Sequence, residues 1–271
     1  MLNVCIAGKN QIAVDALSYL LNDLSFNKAN IFICPNKNDS GFNTWQPSLK
    51  MFAEKQNIRI VDLKEIYDIQ DLIFISLEYD KIINPDRFKT DRLFNIHFSL
   101  LPKYKGVYTS IFPILTGEEY SGVTLHKIDP GIDTGDIIAQ KQFKIGINET
   151  ARDLYFKYLQ FGFDLFKENI VSLIKKQFTI ENQSPLSSSY FSRKDLDLNN
   201  ISINLNKTSF QIHNQIRAFI FEEYQLPEIK NKKIKNSQLT SIKIEKNFYE
   251  RKKNEIIISG IDGYKILLKA K

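Results

Sequence analysis

Short apolar runs that alternate with stretches of helical period constrain the fold of the first hundred residues. The first run, Leu2–Ala7, is nearly continuous in apolar side chains and ends at Gly8, which is typical of a strand buried on both faces. The apolar residues between Ile12 and Leu21 then follow the spacing of a helix. This order recurs, and it predicts a mostly parallel sheet with helices on both faces. The recurring elements are strands at Ile31–Cys34, Ile58–Val61 and Leu72–Leu77, and a helix within Trp45–Gln56.

The middle of the chain continues this pattern and adds one long helix. Leu93–Phe98 and Gly122–Ile128 are predicted strands. A single apolar face over Thr150–Lys176 predicts a helix, for which Thr150 is the predicted N-cap with Asp153 as its capping-box partner. The prediction is therefore a single α/β domain of Rossmann-like architecture that ends after this helix.

A break in composition separates the last quarter of the chain from this domain. The stretch Asn182–Asp197 is polar and rich in serine, which is typical of a surface connection. A helical piece over Ser209–Phe221 and two strand-like runs around the turn at 260–263 follow. We predict an α/β domain at 1–182, a connection at 183–202 and a small α+β module with a β-hairpin at 203–271.

The charge of the chain is concentrated in its last quarter. The 271 residues hold 37 Lys and Arg against 31 Asp and Glu, a formal charge of +6. From Ile203 onward there are 14 basic and 7 acidic residues, which leaves 23 basic and 24 acidic residues before it. A hydrophobic content of 43% excludes a disordered chain. The larger domain is therefore predicted to be nearly neutral, with a basic appendage.

Cysteine use and the pattern of apolar runs predict a cytoplasmic protein. Cys5 and Cys34 both lie inside apolar runs, where a free thiol behaves as a small hydrophobe, and they show no disulfide framework. The first residues lack the basic start and apolar core of a signal peptide, and no apolar stretch reaches the length of a membrane span. No spacing of Cys and His predicts a metal site.

Two of the three histidines lie in patterns that can carry chemistry. In a strand, Asn95 and His97 share one face, and an amide donor beside an imidazole suits a carbonyl that acquires negative charge. A structural histidine at a polar strand end is the alternative. His126 precedes a loop rich in Gly, Pro and Asp that could hold a carboxylate against an imidazole, or could be a solvated turn. His213 has no motif around it and is interpreted as structural.

These segments resemble a known family. The run Asn-x-His-x-Ser-Leu-Leu-Pro-x-Tyr-x-Gly from Asn95 to Gly106 is similar to the signature of formyltransferases that use 10-formyltetrahydrofolate, and so is Gly-x-Thr-x-His with Asp-x-Gly over 122–135. The resemblance covers roughly residues 1–225. It implies the formyltransferase fold, no metal, and Asn95, His97 and Asp133 as the catalytic trio. It also implies a folate-pocket loop, which holds Glu78, Tyr79, Lys81, Ile82 and Ile83.

The resemblance implies attack of a neutral amine on the formyl carbon. Asn95 would donate to the oxyanion, and His97 would stabilise it or take the amine proton. Asp133 would set the tautomer of His97 or relay the proton. The sequence leaves open whether His97 or Asp133 is the working base.

The amine acceptor is predicted to be a nucleotide-linked sugar. Residues 34–41 and 45–49 resemble the corresponding segment of bacterial formyltransferases that act on dTDP-linked amino sugars, notably 3-amino-3,6-dideoxyhexoses used in surface polysaccharides. The sequence does not decide whether the reacting amine is at C3 or at C4 of the sugar. Lys9 and the backbone N–H groups at the start of the first predicted helix lie at the turn after the first strand, where they suit a pyrophosphate. The predicted substrate contacts are Lys9, Asn10, Trp45, Ser48, Lys103, Tyr104 and Tyr224.

Other interpretations predict different partners. A methionyl-tRNA formyltransferase would use the basic tail to hold phosphates, although the tail is short and its lysines are interleaved with Ile and Glu. A non-catalytic folate or nucleotide sensor would not need all three members of the trio, and a formyl-folate hydrolase would not need a nucleotide-sugar segment. We therefore predict small-molecule partners, no nucleic acid or membrane, and a homodimer formed partly through the C-terminal hairpin.

Overall fold

The computed structural model describes residues 2–271, which form two compact units. The first unit holds the residues up to Lys105 together with 122–142 and 158–189, and the second holds 106–121, 143–157 and 190–271. The strands are β1 Asn3–Gly8, β2 Ile31–Pro35, β3 Arg59–Ile60, β4 Leu72–Leu77, β5 Leu93–His97, β6 Lys105–Gly106, β7 Tyr120–Lys127, β8 Ile137–Lys144, β9 Tyr190–Phe191, β10 Glu228–Ile229, β11 Lys232–Lys243, β12 Tyr249–Lys252, β13 Glu255–Ser259 and β14 Tyr264–Ala270. The α-helices are α1 Asn10–Asn22, α2 Leu49–Gln56, α3 Leu63–Ile66, α4 Phe112–Thr116, α5 Ala151–Lys175 and α6 Ser209–Ala218.

A seven-stranded sheet in the order β3-β2-β1-β4-β5-β7-β8 confirms the predicted Rossmann-like α/β fold. The pairs β1–β2, β1–β4, β2–β3 and β4–β5 are parallel, and β5–β7 is antiparallel. The chain winds from β1 toward β3 on one side and from β4 toward β5 on the other. The winding therefore reverses between β1 and β4, which is where open α/β sheets bind ligands at the carboxyl ends of their strands.

Buried apolar side chains hold helices against this sheet. Phe98, just beyond β5, stacks on Tyr158 of α5 with ring centroids 5.3 Å apart. At Gly162 a Cβ atom would lie 2.8 Å from the Ile12 side chain, so a glycine lets the helix backbone approach. The guanidinium of Arg92 donates to the carbonyls of Leu173 and Ile174, near the end of α5. These contacts hold both ends of β5, the strand that carries Asn95 and His97, against α5.

The second unit is built on a five-stranded sheet in the order β10-β11-β14-β13-β12. Its paired strands are antiparallel, and β13 and β14 form the predicted hairpin, with Ser259 opposite Lys265. Helix α6 packs on this sheet through Ile212 and Ile216, within a cluster of buried aliphatic side chains. Asp262, in the hairpin turn, accepts hydrogen bonds from the backbone N–H and the hydroxyl of Ser209 at the start of α6.

The division into units differs from the predicted ranges 1–182, 183–202 and 203–271. Residues 143–157 belong to the second unit because C-terminal side chains bind their backbone. Arg217 donates to the carbonyls of Gly146 and Glu149, and His213 hydrogen-bonds the carbonyl of Ile147. Residues 183–189, predicted as part of the connection, belong to the first unit. Within residues 2–271, no helix combines the length and apolar character needed to cross a membrane.

Candidate active site

Strand β5 and its antiparallel partner β7 bring two polar pairs together at one end of the sheet. Asn95 lies opposite His126, and His97 lies opposite Thr124. Because successive residues of a strand point to opposite faces, Asn95 and His97 share a face, as the sequence predicted. The buried Phe94 and Ile96 alternate with them. The register of β5 and β7 therefore adds His126 to the predicted pair.

The loop after β7 places the carboxylate of Asp133 against all three side chains. Asp133 Oδ1 lies 3.4 Å from Asn95 Nδ2 and 3.6 Å from His126 Nε2, and Oδ2 lies 3.5 Å from His97 Nδ1. The backbone of Asp133 has a φ of 54°, a left-handed conformation that is uncommon outside glycine. The structure thus brings the predicted trio of Asn95, His97 and Asp133 together.

Hydrogen bonds fix the orientation of Asn95 and the tautomer of His126. A carboxylate only accepts, so the amide of Asn95 turns its Nδ2 toward Asp133. The same Nδ2 lies 3.1 Å from His126 Nε2, which must then accept its second N–H. His126 Nδ1 lies 2.7 Å from the carbonyl of Lys127, to which it donates. His126 is therefore a neutral imidazole that carries its proton on Nδ1.

His97 has the opposite tautomer. Its Nε2 lies 2.8 Å from the carbonyl oxygen of Tyr104, which can only accept, so the proton is on Nε2. In the neutral form of the ring, the lone pair of Nδ1 then faces Asp133. A basic nitrogen directed at a carboxylate can accept a proton and form an imidazolium that the carboxylate stabilises.

The cluster is largely shielded from solvent. The side chains of His97, His126 and Asp133 are 9%, 3% and 13% exposed. Electrostatic interactions are stronger in such surroundings than in water, because the effective dielectric constant is lower. The arrangement can therefore stabilise a developing negative charge and hold one mobile proton.

The loop that carries Tyr104 is fixed by Thr124. The hydroxyl of Thr124 donates to the carbonyl of Ser99 and accepts from the N–H of Leu101 and from Gln140. Ser99 in turn donates to the carbonyl of Lys103. These bonds set the path of the chain to the carbonyl that orients His97.

The predicted folate-pocket residues follow β4, beside the turn after β1. Asn36 bridges the backbone of this loop by donating to the carbonyl of Glu78 and accepting from the N–H of Asp80. Asn10 donates to the carboxylate of Glu78 over 3.2 Å. Two predicted contact regions therefore meet here, one for the folate and one for the sugar nucleotide.

The side chains of this loop differ in exposure. Ile82 is 76% exposed, whereas Ile83 is buried. Burial, together with nearby cysteine and acidic groups, raises the pKa of Tyr79, so its phenol is protonated at neutral pH. The ammonium of Lys81 lies 5.9 Å from the Tyr79 ring centroid.

Of the predicted substrate contacts, Ser48 and Lys9 have defined positions at helix starts. Ser48 is the N-cap of α2, where its hydroxyl accepts from the N–H of Met51 and donates to Asp39. Lys9 precedes α1, whose second N–H donates to the side-chain carbonyl of Gln46. Trp45, next to Gln46, is half-buried. The segment around Trp45 is therefore folded against the start of α1.

The remaining predicted contacts lie in both units. Lys103 is exposed and Tyr104 is buried, both in the first unit. Tyr224 belongs to the second unit, where it is 60% exposed and its ring centroid lies 4.7 Å from that of Phe221. Among residues 2–271, no group of His, Cys, Asp and Glu side chains could hold a metal ion.

Two solved structures match this chain over almost its whole length. One is WlaRD, a sugar 3N-formyl transferase described in the presence of dTDP and 5-N-formyl-THF. It is 57% identical with a TM-score of 0.97, and the match covers 100% of this chain and 98% of that one. The chain belongs to the formyltransferase family. A family model for the formyl transferase domain also matches residues 61–170 of this formyltransferase.

The second structure is an N-formyltransferase from Helicobacter canadensis, in complex with folinic acid and dTDP-3-aminofucose. It is 53% identical, has a TM-score of 0.97 and is covered in full, as is this chain. The methionyl-tRNA formyltransferase of Clostridium tetani is 29% identical over an alignment of 231 residues, and this alignment covers 80% of this formyltransferase and 73% of that protein. The sequence resemblance to formyltransferases is confirmed.

One residue of the cluster received no role from the sequence. The sequence motif includes His126, but the hydrogen bond of His126 to Asn95 depends on the pairing of β5 with β7. The sequence could have indicated this contact only if the two predicted strands that carry Asn95 and His126 had been assumed to pair in antiparallel register. In this formyltransferase, His126 is the acceptor that orients the Asn95 amide.

Proposed function

We propose that this protein transfers the formyl group of 10-formyltetrahydrofolate to the amine of a dTDP-linked 3-amino-3,6-dideoxyhexose. The observation that carries the proposal is the buried cluster of Asn95, His97, His126 and Asp133, found in a chain 57% identical to a sugar 3N-formyl transferase. The product would serve the synthesis of surface polysaccharides, and we propose a cytoplasmic homodimer as the working form.

Asn95 stabilises the negative charge that develops on the formyl oxygen. His126 accepts one N–H of the Asn95 amide, and the other N–H faces Asp133 Oδ1 over 3.4 Å, a long hydrogen bond that the formyl oxygen would replace as its negative charge develops. A donor already fixed in place needs no reorganisation during the reaction, and such donors contribute about 10²–10³ in rate. Asn95 is the oxyanion donor of this proposal.

His97 takes the proton of the attacking amine and returns it to N10 of the folate when the bond between the formyl carbon and N10 breaks, which releases tetrahydrofolate. The proton on its Nε2 is held by the Tyr104 carbonyl, which leaves Nδ1 as the basic position. The carboxylate of Asp133, 3.5 Å away, stabilises the imidazolium that results. Asp133 therefore acts as the charge partner of His97 in this arrangement, and His97 is the base.

The loop after β4 fits the co-substrate, which supplies the activated formyl group. It lies at the carboxyl end of β4, at the point where the winding of the sheet reverses, and is adjacent to the strand of Asn95 and His97. The exposed Ile82 offers an apolar surface for a ring, and Asn36 keeps the loop backbone fixed. We propose that Glu78, Tyr79, Lys81, Ile82 and Ile83 bind the folate.

The acceptor is proposed to bind beside the turn after β1. The solved relative with dTDP-3-aminofucose supports a dTDP-linked sugar with its amine at C3. We propose that Lys9 and Lys103 bind the pyrophosphate and that the aromatic side chains among the predicted contacts, such as Trp45, contact the base or the sugar. The residues of the first unit proposed to contact the sugar nucleotide are Lys9, Asn10, Trp45, Ser48, Lys103 and Tyr104, and the contact predicted for Tyr224 remains a prediction from the sequence.

A comparison of acceptors tests the proposal. The protein is incubated with 10-formyltetrahydrofolate and, in separate reactions, with dTDP-3-amino and dTDP-4-amino sugars, UDP-amino sugars and methionyl-tRNA, and the products are identified by mass spectrometry. We expect a formamide on the dTDP-3-amino sugar. Formylation of methionyl-tRNA alone would refute the proposal, and transfer to a 4-amino sugar alone would refute the position of the amine.

A further inference from the structure

Residues 181–189, here named the strap, follow α5 and touch two loops of the catalytic cluster. The strap lies in the first unit, although the sequence placed most of it in a surface connection. One of its partners is the loop that carries Asp133. The other is the loop that carries Tyr104, whose carbonyl sets the tautomer of His97. A single segment therefore contacts the supports of two catalytic side chains.

Gln183 binds the backbone of the Asp133 loop at two points. Its Nε2 donates to the carbonyl of Asp133 over 2.9 Å and to that of Gly135 over 2.8 Å. The Oε1 of the same side chain is buried, and it has no hydrogen-bond partner among the residues that the structure describes. Turning the amide over would place Oε1 against two carbonyl oxygens, so the donating orientation is fixed.

The Asp133 loop needs an external restraint of this kind. Asp133 has a positive φ, which neighbouring contacts must hold in place. The backbone of Glu181 exchanges two hydrogen bonds of 2.8 Å with Ile137, and Asn182 donates to the side chain of Asp136. These bonds anchor the far end of the loop, while Gln183 binds the peptide of Asp133 itself.

Ser189, at the other end of the strap, binds the peptides around Tyr104. Its Oγ accepts from the N–H of Tyr104 over 2.8 Å, and its carbonyl accepts from the N–H of Lys105 over 2.9 Å. Tyr104 also has a positive φ, of 59°. The carbonyl that receives the Nε2 proton of His97 thus belongs to a residue that Ser189 holds.

We propose that Gln183 and Ser189 are positioning residues, which act on the reaction through Asp133 and His97 respectively. The inference rests on the proposed function, because it assigns these two side chains to the support of that reaction. Displacement of a catalytic group by about 1 Å can cost about 10²-fold in rate. Loss of either support should therefore reduce turnover without changing the affinity for the folate.

Four variants test this assignment. Gln183→Met keeps the length of the side chain and removes both donors, and Ser189→Ala removes only the hydroxyl. We expect kcat to fall about 10- to 100-fold in each, with the KM for 10-formyltetrahydrofolate within about twofold of wild type. Ser189→Thr, which keeps the hydroxyl, should restore kcat. Leu186→Ala, at a strap residue that is 78% exposed, is the matched control and should behave as wild type.

Hydrogen exchange of the substrate-free protein provides a second measurement. We expect faster exchange of residues 129–136 in Gln183→Met and of residues 102–106 in Ser189→Ala, each relative to Leu186→Ala. This readout is independent of the acceptor, so it still decides the inference if wild type formylates no sugar and the proposed function fails. Unchanged exchange, unchanged kcat, or a raised KM at constant kcat would overturn the assignment.

Discussion

The buried His213 should make the stability of the second unit depend on pH. Its side chain is fully buried, with Nδ1 2.7 Å from the Ser237 hydroxyl and Nε2 2.7 Å from the Ile147 carbonyl. Burial lowers the pKa of His213 from 6.5 to about 4; the hydrogen bond to Ile147 opposes this shift and the charge of Arg217 adds to it. The neutral ring therefore belongs to the folded state.

The sign and size of the effect follow from this lowered pKa. Between pH 6.5 and pH 4 the unfolded chain binds a proton at His213 that the folded chain does not, so stability falls as the pH is lowered. The loss of stability begins near the pKa of His213 in the unfolded chain and levels off below its pKa in the folded chain. At pH 5.0 these pKa values correspond to a loss of about 2 kcal/mol relative to pH 7.5.

The measurement compares wild type with His213→Gln at pH 7.5 and 5.0. Amide exchange of α6, corrected for the intrinsic rate at each pH, reports the opening free energy within the second unit. The variant should be less stable at pH 7.5 because it loses packing and hydrogen bonds, but its stability should fall by about 2 kcal/mol less on going to pH 5.0. Carboxylates elsewhere titrate in both proteins and cancel in this difference.

Two results would refute the reasoning. One is a parallel pH dependence of wild type and His213→Gln. The other is an NMR titration in which the ring of His213 in the folded protein protonates near pH 6.5, because burial would then not disfavour its charged form.

Further predictions concern the catalytic cluster, the loop that carries Asp133 and the hairpin turn between β13 and β14. His97→Asn and Asp133→Asn should each lose most turnover while their circular dichroism spectra stay unchanged; near-wild-type activity would remove that residue from the mechanism. His126→Ala should lower kcat about 10- to 100-fold through a freed Asn95 amide, and a normal kcat in steady-state kinetics would argue against this. Gly135→Ala should lower the melting temperature and kcat together, since its Cβ would lie 1.9 Å from the Lys127 carbonyl. Asp262→Ala should lower the free energy of unfolding in urea by about 1 kcal/mol, because the N–H and the hydroxyl of Ser209 at the start of α6 lose their acceptor. An unchanged free energy of unfolding would contradict that role.

The buried strands could be predicted from the sequence because their pattern is local. Leu72–Leu77 is β4 to the residue, and the helix predicted from Thr150 begins at Ala151, with Thr150 and Asp153 hydrogen-bonded as expected. Strand β11 was not predicted. Of its 12 residues only Ile234 and Ser237 are buried, so its sequence resembles a basic surface segment.

The catalytic cluster was only partly predictable for a related reason. Period-two alternation placed Asn95 and His97 on one face, but Asp133 joined them through resemblance to a family and not through spacing. The carbonyl of Tyr104 and the amide of Gln183 take part through backbone hydrogen bonds. Such bonds depend on the path of the chain and leave no signature in residue type.

The chain passes between its two units several times, and this restricts how the protein can be recombined. The first unit is assembled from three stretches of sequence, and so is the second. Any single exchange point between this protein and a relative therefore divides at least one unit between two parents. Exchanging a whole unit requires crossovers near every passage, around residues 105, 121, 142, 157 and 189. Acceptor preference in such enzymes should accordingly change by substitutions within a unit rather than by the exchange of terminal segments.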